Sequence, residues 1–374
     1  MDNLSYYMLV ILGVVLHNLM FCLAENVTAN FVFGDSLVDV GNNNYIPSLS
    51  KENFYPNGID FGRPTGRYTN GRTIVDIIAY LNQFTGQEMG FNFTPPYLAP
   101  TTSRPVVLQG VNYASGGGGI LNGTDVDIVK GGRINMDAQL DNFANTKQYI
   151  ITRLGEAAAM KLLENALFSV TMGSNDFLNN YLTPVLSTAK QLTVPPKKFT
   201  QNHLQRLYNM GARKIIVVNV GPIGCIPYQR EINPSAGDKC VDFPNGLAQL
   251  FNNQLRSLVT QLNSKLVGSK FVYADVYEIV QDIIQNYSSY GEFYSPRLHN
   301  SMCANSACCS GGGRFGGIIP CGPSSKICED RSKYVFWDTY HPTDAANMVV
   351  AKRLLDGKSA EIWPMNVRQL LASS

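Results

Sequence analysis

Five short runs of almost unbroken apolar residues punctuate the chain: NFVFG at 30–34, VVLQGVNYA at 106–114, ALFSVTM at 166–172, KIIVVNV at 214–220 and KFVYADV at 270–276. Each is rich in β-branched or aromatic residues and stops at glycine or polar residues, the pattern of a strand buried on both faces. Between them, RTIVDIIAYLNQF (72–84), GEAAAMKLLEN (155–165), FTQNHLQRLYNMGA (199–212) and NGLAQLFNNQLRSLVTQLNSKL (245–266) place apolar residues three and four apart, which predicts amphipathic helices. The last starts after Pro244, where Asn245 is placed to cap it. A further helix, TDAANMVVAKRLL, is expected after Pro342, a residue suited to a first helical position. Alternating strands and helices predict an α/β fold, a mainly parallel central sheet with helices on both faces. Such sheets bind ligands beyond the carboxyl ends of their strands.

Four polar motifs fall at or near those positions. Ser36 follows the first run in Gly34-Asp35-Ser36-Leu37, and Ser115 and Gly116 open SGGGG after VNYA. Gly173-Ser174-Asn175-Asp176 follows ALFSVTM, and Asp338 and His341 lie in YVFWDTYHP. Ser36 has two readings, a helix N-cap or a nucleophile. A serine hydroxyl needs a base within hydrogen-bond reach, usually a histidine that a carboxylate orients. Of the histidines beyond the leader, His203 sits inside a helical pattern and His299 reads as a surface residue. His341 alone lies at an element boundary with an aspartate three residues earlier, close enough for Asp338 to reach its Nδ1 while Nε2 points away toward Ser36. The competing reading makes Asp338 a cap for the next helix. Attack on an ester carbonyl also requires oxyanion donors. Asn175, the Gly116 N–H and the Ser36 N–H are the candidates, with Gly117 as the alternative within the four consecutive glycines.

At 374 residues with 45% hydrophobic and 16% charged positions, the chain is long and apolar enough for a large folded core. The balance of 30 basic against 28 acidic residues supplies no general attraction to nucleic acid or anionic membranes. MLVILGVVL at 8–16, with the small residue Ala24 beyond it, reads as a signal peptide over 1–24, too short to serve as a comfortable membrane span. It departs from pattern in having no Lys or Arg before the apolar block, and a signal anchor is the alternative. Residues 25–374 then form a single domain of a secreted, extracellular protein. Sequons at Asn26, Asn92, Asn122 and Asn286 point the same way.

Seven cysteines lie beyond the leader, and five of them crowd into the glycine-rich stretch from Cys303 to Cys328. In an oxidising compartment such a loop is expected to be tied by disulfides. Cys308 and Cys309 are expected to take different partners, with Cys321 and Cys328 as candidates, and Cys225 to pair with Cys240. The odd count leaves Cys303 over. A zinc site lacks both a C-x-x-C pair and a second histidine near His299.

FGDSL at 33–37, the SGG after VNYA, GSND at 173–176 and D-x-x-H-P at 338–342 resemble, in order, the four motif blocks of the GDSL esterase/lipases within the SGNH hydrolases. DVGNNN (39–44), IDFGRPTGRYTNGRTIVD (59–76), GARKIIVVNVGPIGCIP (211–227) and FWDTYHP (336–342) are similar to the plant-type secreted branch. The resemblance runs from about Phe31 to Arg353. It implies a flavodoxin-like α/β/α sandwich, a Ser36, Asp338, His341 triad, an oxyanion hole from Ser36, Gly116 and Asn175, and neither cofactor nor metal. Two alternatives to a secreted esterase or lipase stand beside it: an acyltransferase using the same acyl-enzyme, and an inactive extracellular lipid- or glycan-binding protein. Substrate choice is expected to lie in loops 85–105 and 177–198.

Overall fold

The computed structural model describes residues 29–81, 93–102, 105–124, 131–182, 196–290 and 303–373. In chain order the main elements are β1 (Asn30–Gly34), α1 (Ile74–Leu81), α2 (Met136–Leu154), α3 (Glu156–Asn165), β2 (Leu167–Thr171), α4 (Pro196–Asn209), β3 (Lys214–Val218), α5 (Asp242–Lys265), β4 (Lys270–Ala274) and α6 (Val276–Gln285). The short strands β5 (Cys303–Ala307), β6 (Cys309–Ser310), β7 (Lys326–Ile327) and β8 (Tyr334–Phe336) follow, then α7 (Asp344–Asp356), β9 (Ile362–Trp363) and α8 (Val367–Ala372).

The central sheet runs β1-β2-β3-β4-β9, parallel except for the edge strand β9. Residues 111–115 extend along the outer side of β1. Val32 N–H donates to Val111 O at 3.0 Å, Tyr113 N–H to Val32 O at 2.7 Å and Ser115 N–H to Gly34 O at 3.1 Å. Counting that segment, the parallel members follow the chain order 2-1-3-4-5, the flavodoxin-like doubly wound arrangement. Its topological switch point lies between β1 and β2, so the crevice at their carboxyl ends is where a ligand is expected.

Both faces of β1 are buried, as its unbroken apolar run requires. Phe31 and Phe33 pack against Phe143 of α2 on one face, and Val32 meets Val38, Val75 and Ala114 on the other. Helix α4 packs against both α2 and α5, while α7 packs against α1, α6 and α8. These two helical layers sandwich the sheet. Among the described residues no helix is long and apolar enough to cross a membrane.

Four of the five apolar runs become β1 to β4 nearly residue for residue. The second does so only in part: Pro105 starts a 3-10 turn over Val106–Gln109, and extended backbone begins at 111. The run at 270–276 ends early because Asp275 caps α6, accepting the Glu278 N–H at 3.2 Å. Helix α5 starts at Asp242, so Pro244 lies within its first turn and Asn245 is not its cap; the Asn245 side-chain Oδ1 instead accepts the Gly224 N–H at 2.7 Å. Pro342 likewise precedes α7 rather than opening it, and Thr343 is the cap. Strand β8, which leads to Asp338, pairs with β5 outside the main sheet.

Candidate active site

Gly34 ends β1 where it lies so close to β2 that a Cβ there would meet Thr171 O at 2.6 Å and Val38 at 2.4 Å. Gln139 of α2, fully buried, grips the same residue from both sides: its Oε1 accepts the Gly34 N–H and its Nε2 donates to Gly34 O. The following turn is capped by Asp35, not Ser36. Asp35 Oδ1 accepts the Leu37 N–H at 3.0 Å, and the Asp35 carbonyl accepts the N–H groups of Val38 and Asp39. The serine hydroxyl is therefore free for another partner.

That partner is His341, whose Nε2 lies 2.8 Å from Ser36 Oγ. On the far side of the ring, Nδ1 lies 2.9 Å from each carboxylate oxygen of Asp338. Asp338 Oδ1 also accepts the backbone N–H groups of Tyr340 and His341, at 2.8 Å each, which fixes the carboxylate against the ring. Thr343, not Asp338, caps α7, so the carboxylate is left to the histidine. Asp338 is 2% exposed and His341 8%, and Tyr68 stacks obliquely on the imidazole with ring centres 5.1 Å apart.

Asn175 lies beyond the end of β2, across the switch point from Ser36. Its Nδ2 donates to Gly118 O at 2.9 Å and its Oδ1 accepts from Asn179 at 3.1 Å. An amide nitrogen carries two protons, so one remains for a ligand. Gly116 is buried, and its N–H already donates to Asp39 Oδ2 at 3.0 Å. A Cβ on it would fall 1.9 Å from the Tyr68 hydroxyl. Gly117, partly exposed with φ of 81°, is the glycine that lines the cleft beside Ser36 and Asn175. Among the described residues the N–H groups of Ser36 and Gly117 have no hydrogen-bond acceptor. The donor expected of Gly116 is thus held elsewhere, and its neighbour faces the open space.

The residues that hold these loops in place were not among the candidate site residues, although most of them lie inside the quoted motifs. Asp39 accepts the Gly41 and Asn42 N–H groups at 2.8 Å each in addition to Gly116. Asn42 donates to the carbonyls of Asn112 and Ala114, and Asn43 to that of Gly116. Asp176 braces the far end of the glycine loop through the N–H groups of Ile120 and Leu121 and the Thr124 hydroxyl. The clustered Asx residues of DVGNNN were the available signal for the first group; nothing in the sequence around Gln139 marks its role. Burial pushes the Asp35 carboxyl up to about 7 and the Asp39 carboxyl up to about 6, in each case against the hydrogen bonds they accept.

The remaining candidates lie elsewhere. His203 is buried on α4, with Nε2 3.0 Å from Asp137, and burial lowers its pKa despite that carboxylate. His299 and the sequons at Asn26 and Asn92 lie outside the described residues, as do residues 85–92, 103–104 and 183–195 of the two loops expected to set substrate choice. Asn122 and Asn286 are exposed. Disulfides join Cys225 to Cys240, Cys308 to Cys328 and Cys309 to Cys321, which leaves Cys303 as the free thiol among the described residues.

Ser36, Asn175, Asp338 and His341 all open on one cleft of about 450 Å³. Its apolar wall comes from the end of β3, from α6 and from α7, with Val218, Val276, Val280, Ile283 and Val350 among the lining residues. A serine, an oriented histidine, spare N–H donors and an apolar recess together suit acyl transfer from an ester. The family model for GDSL-like lipase/acylhydrolase matches residues 31–354. Three Arabidopsis thaliana proteins, each described as a GDSL esterase/lipase, are 58%, 49% and 49% identical over 93%, 91% and 91% of this chain, and over 92%, 87% and 90% of their own lengths. The chain belongs to the GDSL lipase/acylhydrolase family and is an enzyme of carboxylic ester bonds.

Proposed function

We propose that this chain is a secreted serine hydrolase that cleaves esters of lipid or otherwise acylated substrates through an acyl-enzyme on Ser36. The observation that carries the reading is the 2.8 Å approach of His341 Nε2 to Ser36 Oγ with Asp338 held behind the ring. In the proposed first step His341 takes the Ser36 proton as Oγ attacks the ester carbonyl. The oxyanion accepts the N–H groups of Ser36 and Gly117 and the second Nδ2 proton of Asn175, donors already in place before charge develops. Collapse expels the alcohol, which leaves with the proton from His341. Water, activated by the same imidazole, then hydrolyses the acyl-enzyme.

Export is part of the reading, with a leader removed after residue 24 and one catalytic domain over 25–374. Three disulfides and exposed sequons at Asn122 and Asn286 support an oxidising, glycosylating route. The test is hydrolysis of p-nitrophenyl esters from acetate to long acyl chains by secreted wild type and Ser36→Ala, with fluorophosphonate labelling of both. The expected result is turnover and labelling in wild type, a pre-steady-state burst of p-nitrophenol, and loss of all three in the variant. Folded wild type that neither labels nor turns over any ester would overturn the mechanism.

A further inference from the structure

Glu52 lines the same cleft as Ser36 and His341, yet no step above uses it. Its Oε2 accepts a hydrogen bond from Asn57 Nδ2. Asn57 in turn accepts the indole N–H of Trp337 at 2.8 Å, and Trp337 directly precedes Asp338. The glutamate is thus mounted on the segment that carries the triad carboxylate. Its second oxygen has no protein partner among the described residues. Burial, reinforced by the nearby Asp338 charge, pushes the Glu52 pKa well above the ordinary range. An oxygen without a protein partner accepts a hydrogen bond when the carboxyl is ionised, and a protonated carboxyl can also donate one.

The stereochemistry of ester cleavage says which part of a substrate would meet it. The leaving oxygen must take its proton from His341 Nε2, whereas the carbonyl oxygen must face Gly117 and Asn175. The alcohol therefore lies on the His341 side. Glu52 is on that side too: it lies two residues beyond Ser50, whose carbonyl accepts the Tyr68 hydroxyl at 2.8 Å, and the Tyr68 ring stacks on His341. Ser50 and Tyr68 line the cleft beside it, while the wall formed by β3, α6 and α7 is mainly apolar, with Asn219 and Asn347 its polar members. No Lys or Arg lines the cleft among the described residues, so nothing there would pair with an anionic alcohol moiety. We propose that Glu52 is a specificity residue that hydrogen-bonds a free hydroxyl on the alcohol portion of the ester, favouring uncharged polyhydroxy esters such as partial glycerides or sugar monoesters.

This inference rests on the hydrolase reading. The experiment compares kcat/KM for 1-butyryl glycerol and ethyl butyrate, which share an acyl group and differ in the alcohol hydroxyls, in wild type, Glu52→Met and Glu52→Gln. Both esters are turned over by the same molecules, so any loss of folded enzyme cancels in the ratio of the two values. The glyceryl-to-ethyl ratio is expected to fall about tenfold in Glu52→Met, the worth of one good hydrogen bond, mainly through KM. Glu52→Gln, which keeps an acceptor for Asn57 and a donor for the hydroxyl, is expected to hold the ratio within about twofold. A ratio unchanged in Glu52→Met, or lost equally in Glu52→Gln, overturns the assignment. Wild type that hydrolyses both esters without preference also overturns it while leaving the hydrolase reading intact; wild type that hydrolyses neither and resists fluorophosphonate brings down that reading first.

Discussion

Asp39 Oδ2 accepts the Gly116 N–H at 3.0 Å while its Oδ1 takes the N–H groups of Gly41 and Asn42, so one buried carboxylate joins the turn after the nucleophile to the glycine loop. In Asp39→Asn the amide can still accept on one side, but its NH2 group then faces the Gly116 N–H, donor against donor. Leaving that buried N–H unsatisfied is expected to cost about 1–3 kcal/mol of stability. The displaced glycine loop is expected to lower kcat about 10²-fold with a smaller change in KM, because small misplacements of catalytic groups are costly. Thermal unfolding and steady-state kinetics on one p-nitrophenyl ester check both; unchanged kcat would mean that the loop does not depend on this tie.

Asn175 is expected to act in the transition state through the proton its Gly118 bond leaves over. Asn175→Ala should lower kcat by about 10²–10³-fold, corresponding to about 2.7–4 kcal/mol, with KM little altered. Gly118 would lose a brace as well, so Asn175→Asp is the sharper control: it removes the donor while nearly keeping the volume, and it should be at least as impaired. Full activity in either variant would remove Asn175 from the oxyanion site.

Much of this site was legible because its chemistry sits next to strand ends that the hydrophobic pattern already marks. Phe31 to Phe33 and Leu167 to Val170 are buried on both faces, so their runs stop where the polar motifs start. Helix α2 was not legible, for a physical reason. Its buried stripe includes Gln139 and Thr146, polar residues turned inward to bond Gly34 and the Tyr113 hydroxyl, and they interrupt the apolar period. Strand β9 covers only two residues and has no period to read. The choice between Gly116 and Gly117 turned on which N–H Asp39 holds, a contact across 77 residues that no local pattern carries.

Stability should depend on pH in a direction set by two buried aspartates. Asp35 and Asp39 have folded pKa values raised to about 7 and about 6, above the unfolded value of 3.8. A raised carboxyl binds its proton more tightly when folded, so its stabilising contribution is full below about pH 4 and is lost as pH rises through the folded value. For Asp35, whose Oδ2 is buried without a partner, the loss is roughly 4 kcal/mol on going from acid to above pH 7. Asp76, held down by Arg67, works in the opposite sense and loses its contribution only as pH falls below the ordinary carboxylate range. Tm is therefore expected to peak in mild acid and to decline toward neutrality. Asp35→Asn, which cannot ionise, should flatten that decline; calorimetry from pH 4 to pH 8 that finds equal slopes in variant and wild type would rule Asp35 out as the cause.

The two disulfides of the glycine-rich loop are expected to support catalysis as well as stability. Cys308 N–H donates to Phe336 O at 3.0 Å and Cys309 N–H to Trp337 O at 2.7 Å, so the bridged loop lies directly along the backbone that carries Asp338. Trp337 N–H donates onward to the His341 carbonyl at 2.8 Å, closing the turn between the two triad residues. Removing the Cys309–Cys321 bridge, whose cysteines are 12 residues apart, in a Cys309→Ala, Cys321→Ala double variant should cost about 3 kcal/mol. Because the freed loop no longer holds Trp337, the rate of fluorophosphonate labelling should fall along with Tm, even at temperatures where the variant remains folded. A variant that melts earlier but labels at the wild-type rate would show that the bridge stabilises the loop without positioning Asp338. Peptide mapping of the unreduced wild type provides the accompanying check on connectivity, with Cys303 as the single site expected to react with a maleimide after denaturation.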